Sequence, residues 1–160
     1  MAAEINVVCP PGGLPRSGTE VLTARFDAQP TVSVGDETLF TRNMADCIAI
    51  ATFDRETGQR TMTHLSGRIA NDVYYERMAG LISPKTTVIV ACGFNGGQEF
   101  FEEDEVPPIR EKLENAMKQA GHPINELEWL TLWSPANPPG LVGGTLVLQA
   151  DGQYGRIARS

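Results

Sequence analysis

The sequence predicts an α+β fold: a layered β-sandwich of about eight strands flanked by two helices. Two observations carry this reading. Short β-branched or apolar runs recur along the chain, bounded by Gly, Pro, Asn and Asp, whereas only two stretches repeat their apolar residues at helical spacing. Strands therefore outnumber helices too heavily for the alternation of strand and helix that a doubly wound sheet requires. The chain has 160 residues and no internal repeat or composition break. It reads as a single domain over 1–160, long enough to bury a real core.

Composition narrows the partners. With 41% hydrophobic and 21% charged residues the chain is of ordinary globular type, and its net charge of -7 argues against nucleic acid, whose phosphates need a basic surface. The charge suits solubility, or a basic protein partner, instead. No window approaches the eighteen or so apolar residues of a membrane helix, and the N-terminus lacks a basic-then-apolar signal segment, so the expectation is a cytoplasmic protein without membrane insertion. Cys9, Cys47 and Cys92 form no disulfide framework, which fits a reducing compartment. Two histidines and three scattered cysteines show no zinc-type spacing, so neither metal nor cofactor is expected.

The elements follow in order. Residues 4–9 read as a short strand, ended by the Pro/Gly-rich stretch 10–15. Stretches 19–26 and 31–34 alternate as half-buried strands, and Gly35-Asp36 turns into Leu39-Phe40-Thr41. A helix is expected over 68–82, with Ala70, Tyr74, Met78, Leu81 and Ile82 on one side. Ser83-Pro84 stops it. The β-branched run 86–92 reads as an interior strand ending in Cys92, which is a second thiol candidate or, lacking a histidine at hairpin spacing, a core residue. The loop 93–97 lacks the Lys-Ser/Thr ending of a phosphate-binding loop. Beyond the acidic block 99–105, Pro107-Pro108 opens the clearest helix, whose stripe Ile109, Leu113, Ala116, Met117 and Ala120 ends at Gly121. His122 sits where a helix is capped. Residues 128–134 form a strand, 135–140 a rigid Pro-rich loop, and 145–150 with 154–158 a hairpin about Asp151-Gly152.

The stretch with chemistry lies between. Cys47 opens the apolar run Cys-Ile-Ala-Ile-Ala-Thr-Phe, the turn cluster 54–58 follows, and a second strand returns over 59–65 with His64 near its end. Folding the segment about that cluster sets Cys47 across from His64, with Cβ atoms roughly 5 Å apart on one face. A thiol of ordinary pKa is only a few per cent ionised at neutral pH, and an adjacent imidazole that accepts its proton makes it a nucleophile. A cysteine heading an apolar strand also serves as a small core residue, and spacing leaves both roles open.

The order Thr41, Cys47, His64, with Cys47 heading a Cys-hydrophobic-Ala-hydrophobic run that ends at Asp54, resembles the chemoreceptor glutamine deamidases of the CheD type. The glycine-rich stretch 93–97, the amphipathic helix leading into Gly121-His122-Pro123-Ile124, and Gly143-Gly144 with Gly155-Arg156 extend the likeness. Cytotoxic necrotizing factor toxins are similar in their Cys-His core. The resemblance implies a layered sandwich of the same type, Cys47 as nucleophile, His64 as general base and acid, and Thr41 as the polar residue supporting the histidine. It further implies a protein substrate carrying a glutamine, attacked at its side-chain amide through a thioester. In place of the family's Gly-Ser, this chain has Ala45-Asp46 before the cysteine. Asp46 either accepts a hydrogen bond from protonated His64 or crowds the thiolate. The second arrangement favours the alternative function, a catalytically silent binding module of the same fold. Target identity and oligomeric state stay open at this stage, as does the choice between a bacterial cytoplasm and, for an effector, delivery to a host cytosol.

Overall fold

The computed structural model describes residues 4–9, 18–24, 29–42, 47–65, 70–92, 106–132 and 144–159. Among them eleven strands and two helices form an α+β domain of two mixed sheets. The strands are β1 (Glu4–Cys9), β2 (Gly18–Glu20), β3 (Thr23–Ala24), β4 (Thr31–Ser33), β5 (Thr38–Thr41), β6 (Ile48–Asp54), β7 (Arg60–Leu65), β8 (Thr86–Cys92), β9 (Glu128–Leu132), β10 (Gly144–Leu148) and β11 (Tyr154–Arg159). The helices are α1 (Asp72–Leu81) and α2 (Val106–Gln119). The first sheet runs β1-β11-β10-β5-β2, and the second β3-β7-β6-β8-β9 with β4 also on β7.

The strand count exceeds the eight expected, and one of the added strands arises where the chain changes sheets and the sequence reads continuous. The single strand expected over 19–26 is split: β2 pairs in parallel with β5, the backbone crosses at Val21 and Leu22, and β3 pairs in parallel with the end of β7. Alternation alone does not reveal such a crossing, because each short piece keeps its period of two.

Side-chain alternation in β6, β7 and β8 divides the core into two layers. Ala49, Ala51, Met62, Ile89 and Ala91 pack against Leu39, Leu146, Leu148 and Tyr154 of the first sheet. On the opposite face Ile48, Ile50, Leu65, Val88 and Val90 lie under α1 and α2. Burying each large aliphatic side chain stabilises the fold by about 1.5–3 kcal/mol. The central strands thus have both faces covered, which is why 48–53 and 86–92 read as unbroken apolar runs.

The helices are set by their ends and stripes. Asn71 caps α1, its side chain accepting from the Tyr74 backbone N–H at 3.0 Å, so the described helix starts after the expected 68. Tyr74, Tyr75, Met78 and Ala79 are its buried residues, while Leu81, placed on the inner stripe by the sequence reading, is 37% exposed. In α2 Ile109, Leu113 and Met117 are buried, and Gly121 at φ +80° ends it with the His122 N–H donating to the Met117 carbonyl. No helix among the described residues is long and apolar enough to cross a membrane.

Candidate functional site

The two sheets meet most closely in chemistry at one point. Thr41 ends β5 of the first sheet and His64 lies near the end of β7 of the second, and both side chains turn inward. Thr41 Oγ1 lies 2.7 Å from His64 Nδ1, and the same hydroxyl donates to the Val21 carbonyl at 2.6 Å. Thr41 is 0% and His64 1% exposed. His64 Nε2 is buried and has no hydrogen-bond partner among the described residues. Burial pulls the His64 pKa below its ordinary 6.5, so the ring is neutral near pH 7. At the rim, the Arg42 guanidinium forms an exposed ion pair with Glu20 on β2, holding the Glu20 carboxyl below its usual range.

Cys47 is a buried thiol one residue ahead of β6. The hairpin register differs from the expectation that set it opposite His64: Ala49 is the residue facing His64, with Ile48 facing Leu65 and Ile50 facing Thr63. The turn explains the shift. Asp54 still belongs to β6 and caps the loop, its Oδ1 accepting from the N–H groups of Glu56 and Thr57, and Gly58 closes the loop at φ +79°. Placing the turn downstream of Asp54 moves the whole pairing by two residues. A two-residue shift preserves the face. Carried one residue beyond β6, the same alternation gives Cys47 the parity of Ala49 and sets it diagonal to His64, a relation in which Cβ atoms are about 7–8 Å apart.

Arg60 was missed by the sequence reading. It shares the inward parity of Met62 and His64, yet its guanidinium is 0% exposed at the far end of the same layer. It donates to the carbonyls of Glu37, Gly35 and Leu148 and to Ser33 Oγ, tying β7 to the turn before β5 and to the end of β10. Desolvation lowers its pKa, partly offset by Glu37, Asp151 and Asp36. An arginine at inward parity beside Met62 and His64 is the signal that could have revealed it.

Asp46, the loop 93–97, the acidic block 99–105 and the Pro-rich stretch 135–140 lie outside the described residues, as do the side chains of Cys9 and Cys92. His122 caps α2 through its backbone, across the second sheet from the Thr41–His64 pair. A shallow polar groove of about 210 Å³ between α1 and α2, lined by Asp72, Tyr75, Glu76 and Lys112 among others, is also on that side. Among the described residues no three His, Cys, Asp or Glu side chains converge as a metal site would require.

The fold and this cluster define an α+β protein with a buried Thr–His pair spanning two sheets, and a buried cysteine one residue ahead of the strand that pairs with the histidine's. No family model matches the chain, and no curated protein matches it. Among solved structures it is similar to the Bacillus licheniformis hypothetical protein YfiH, at 12% identity and a TM-score of 0.40. That alignment covers 65% of this chain and 51% of the other, so the chain spans about half that protein's length. At this distance the likeness bears on neither activity nor site.

Proposed function

We propose that the chain is a cysteine hydrolase of the protein-glutamine deamidase type, with Cys47 as nucleophile, His64 as base and acid, and Thr41 supporting the imidazole. The observation that carries this reading is the buried Nε2 of His64, which has no partner among the described residues, in a ring that lies opposite Ala49, two residues from Cys47. Leaving a buried polar atom unsatisfied costs about 1–3 kcal/mol; Arg60 Nε and Trp129 Nε1 are in the same position, but of the three only the imidazole nitrogen can take a proton from a thiol. A neutral ring is the form needed to take that proton.

In this reading the Cys47 proton passes to Nε2 and the thiolate sulfur bonds to the side-chain amide carbon of a glutamine. The C–N bond breaks and ammonia leaves with the proton from the imidazolium. Water, deprotonated at Nε2, attacks the thioester carbon, releasing a glutamate carboxylate and restoring the thiol. The substrate is a folded protein, of basic surface given the chain's charge of -7, and the sandwich belongs to the CheD and cytotoxic necrotizing factor type.

The test is intact mass spectrometry after a brief, sub-stoichiometric iodoacetamide pulse near pH 7. Cys47 is expected to be labelled ahead of Cys9 and Cys92, and His64→Gln is expected to abolish its advantage. Equal labelling of the three thiols refutes the hydrolase and leaves the silent binding module. Conversion of a glutamine to glutamate in a candidate basic protein, lost in Cys47→Ser, then establishes the reaction.

A further inference from the structure

We propose that the main-chain carbonyl of Val21 is a positioning group for the histidine: acting through Thr41, it decides which nitrogen of His64 carries the proton. The inference deepens the hydrolase reading, resting on it only for the catalytic meaning of the tautomer. Its geometry stands without it.

A threonine hydroxyl has one proton and accepts with its lone pairs. Thr41 Oγ1 contacts two groups, the Val21 carbonyl at 2.6 Å and His64 Nδ1 at 2.7 Å. A carbonyl oxygen only accepts, so the hydroxyl proton must lie toward Val21. Otherwise two oxygens would face each other at 2.6 Å with no proton between them. With its proton committed, the hydroxyl can only accept from the ring, and Nδ1 must carry the hydrogen. Nε2 is then the nitrogen with the lone pair. The reverse polarity fails at the carbonyl, while Nε2 is without a partner among the described residues in either tautomer, so the Thr41 contact is what decides. Which ring nitrogen is protonated follows from the bond the other one makes.

The carbonyl is held in place by the change of sheets. Glu20 pairs with Phe40 in the first sheet, and the Val21 N–H donates to the Phe40 carbonyl at 2.8 Å. Two residues on, Thr23 pairs with His64 itself in the second sheet. The Val21 side chain is buried between the sheets, while Leu22 is 76% exposed. The crossing thus delivers a fixed acceptor to a hydroxyl that links the sheets. A base with a free Nε2 is on this view a product of sheet docking, not of the Cys47–His64 hairpin alone.

The experiment reads the tautomer directly, from long-range proton–nitrogen correlation spectra of the full chain labelled at its two histidines, with His64→Gln assigning the signals. Wild type near pH 7.5 is expected to show a pyrrole-type Nδ1 and a pyridine-type Nε2 at His64. Thr41→Ser keeps that pattern, and Thr41→Val shifts it toward Nε2–H. Replacing Leu22 by leucic acid turns the Val21 carbonyl into an ester, a weaker acceptor, and is expected to shift it the same way by a smaller amount. A wild-type ring protonated on Nε2, or on both nitrogens, overturns the proposal. So does an ester chain that keeps the wild-type pattern, whatever Thr41→Val does. Because no turnover is needed, a chain with the expected tautomer and no amidase activity refutes the hydrolase and leaves this inference standing.

Discussion

Thr41→Val removes one oxygen and preserves shape, so its cost is set by the two contacts that oxygen makes. Both are buried: the bond to the Val21 carbonyl at 2.6 Å and the contact with His64 Nδ1 at 2.7 Å. Valine leaves a carbonyl and a ring N–H unpaired, each worth about 1–3 kcal/mol, while the lost hydroxyl no longer needs desolvation. The net cost is about 3 kcal/mol. Against a total of roughly 5–15 kcal/mol the variant still folds. For a domain of this size the midpoint temperature should fall by about 9 °C, at roughly 2–4 °C per kcal/mol. Thr41→Ser, which loses about one methyl group, should cost under about 1 kcal/mol, so the difference between the two variants isolates the hydroxyl. Urea denaturation with an unchanged m-value is the assay, and a cycle with His64→Phe should return a coupling of at least about 1 kcal/mol. A valine variant as stable as the serine variant would refute the reasoning, because the hydroxyl would then hold nothing.

The buried Arg60 guanidinium closes three carbonyls and one hydroxyl, so Arg60→Met should lower stability by more than about 3 kcal/mol, and Arg60→Lys should recover little of it for want of a planar fork. Thermal denaturation checks both. Because burial depresses the His64 pKa, the unfolded chain binds a proton first as pH falls. The stability His64 contributes is complete above about pH 6.5 and is lost as pH drops toward the folded value, so His64→Gln should flatten the pH dependence of the urea midpoint just below pH 6.5. Gly152 turns the β10–β11 hairpin at φ +87°, where an added Cβ would sit 2.8 Å from the Phe53 ring. Gly152→Ala should therefore cost about 1–3 kcal/mol in the same denaturation assay.

The local elements were legible from residues whose physics is local. Gly121 and Gly152 marked the ends of α2 and of the β10 strand because both need positive φ, the stripe of Ile109, Leu113 and Met117 located a helix face, and the unbroken runs at 48–53 and 86–92 announced strands buried on both faces. Thr41, Cys47 and His64 were singled out by spacing and resemblance. Tertiary structure decided the rest. Whether Asp54 ended its strand or opened its turn depended on a carboxylate capping two N–H groups, and that choice moved the hairpin register by two residues. Arg60 is buried only because carbonyls from the turn before β5 and from β10 converge on it. The Val21 carbonyl has no residue-level signature at all, since any amino acid supplies one. Sequence determines which side chains can do chemistry, but a polarity passed from one sheet's backbone through a hydroxyl to the other sheet's imidazole exists only once the sheets have packed.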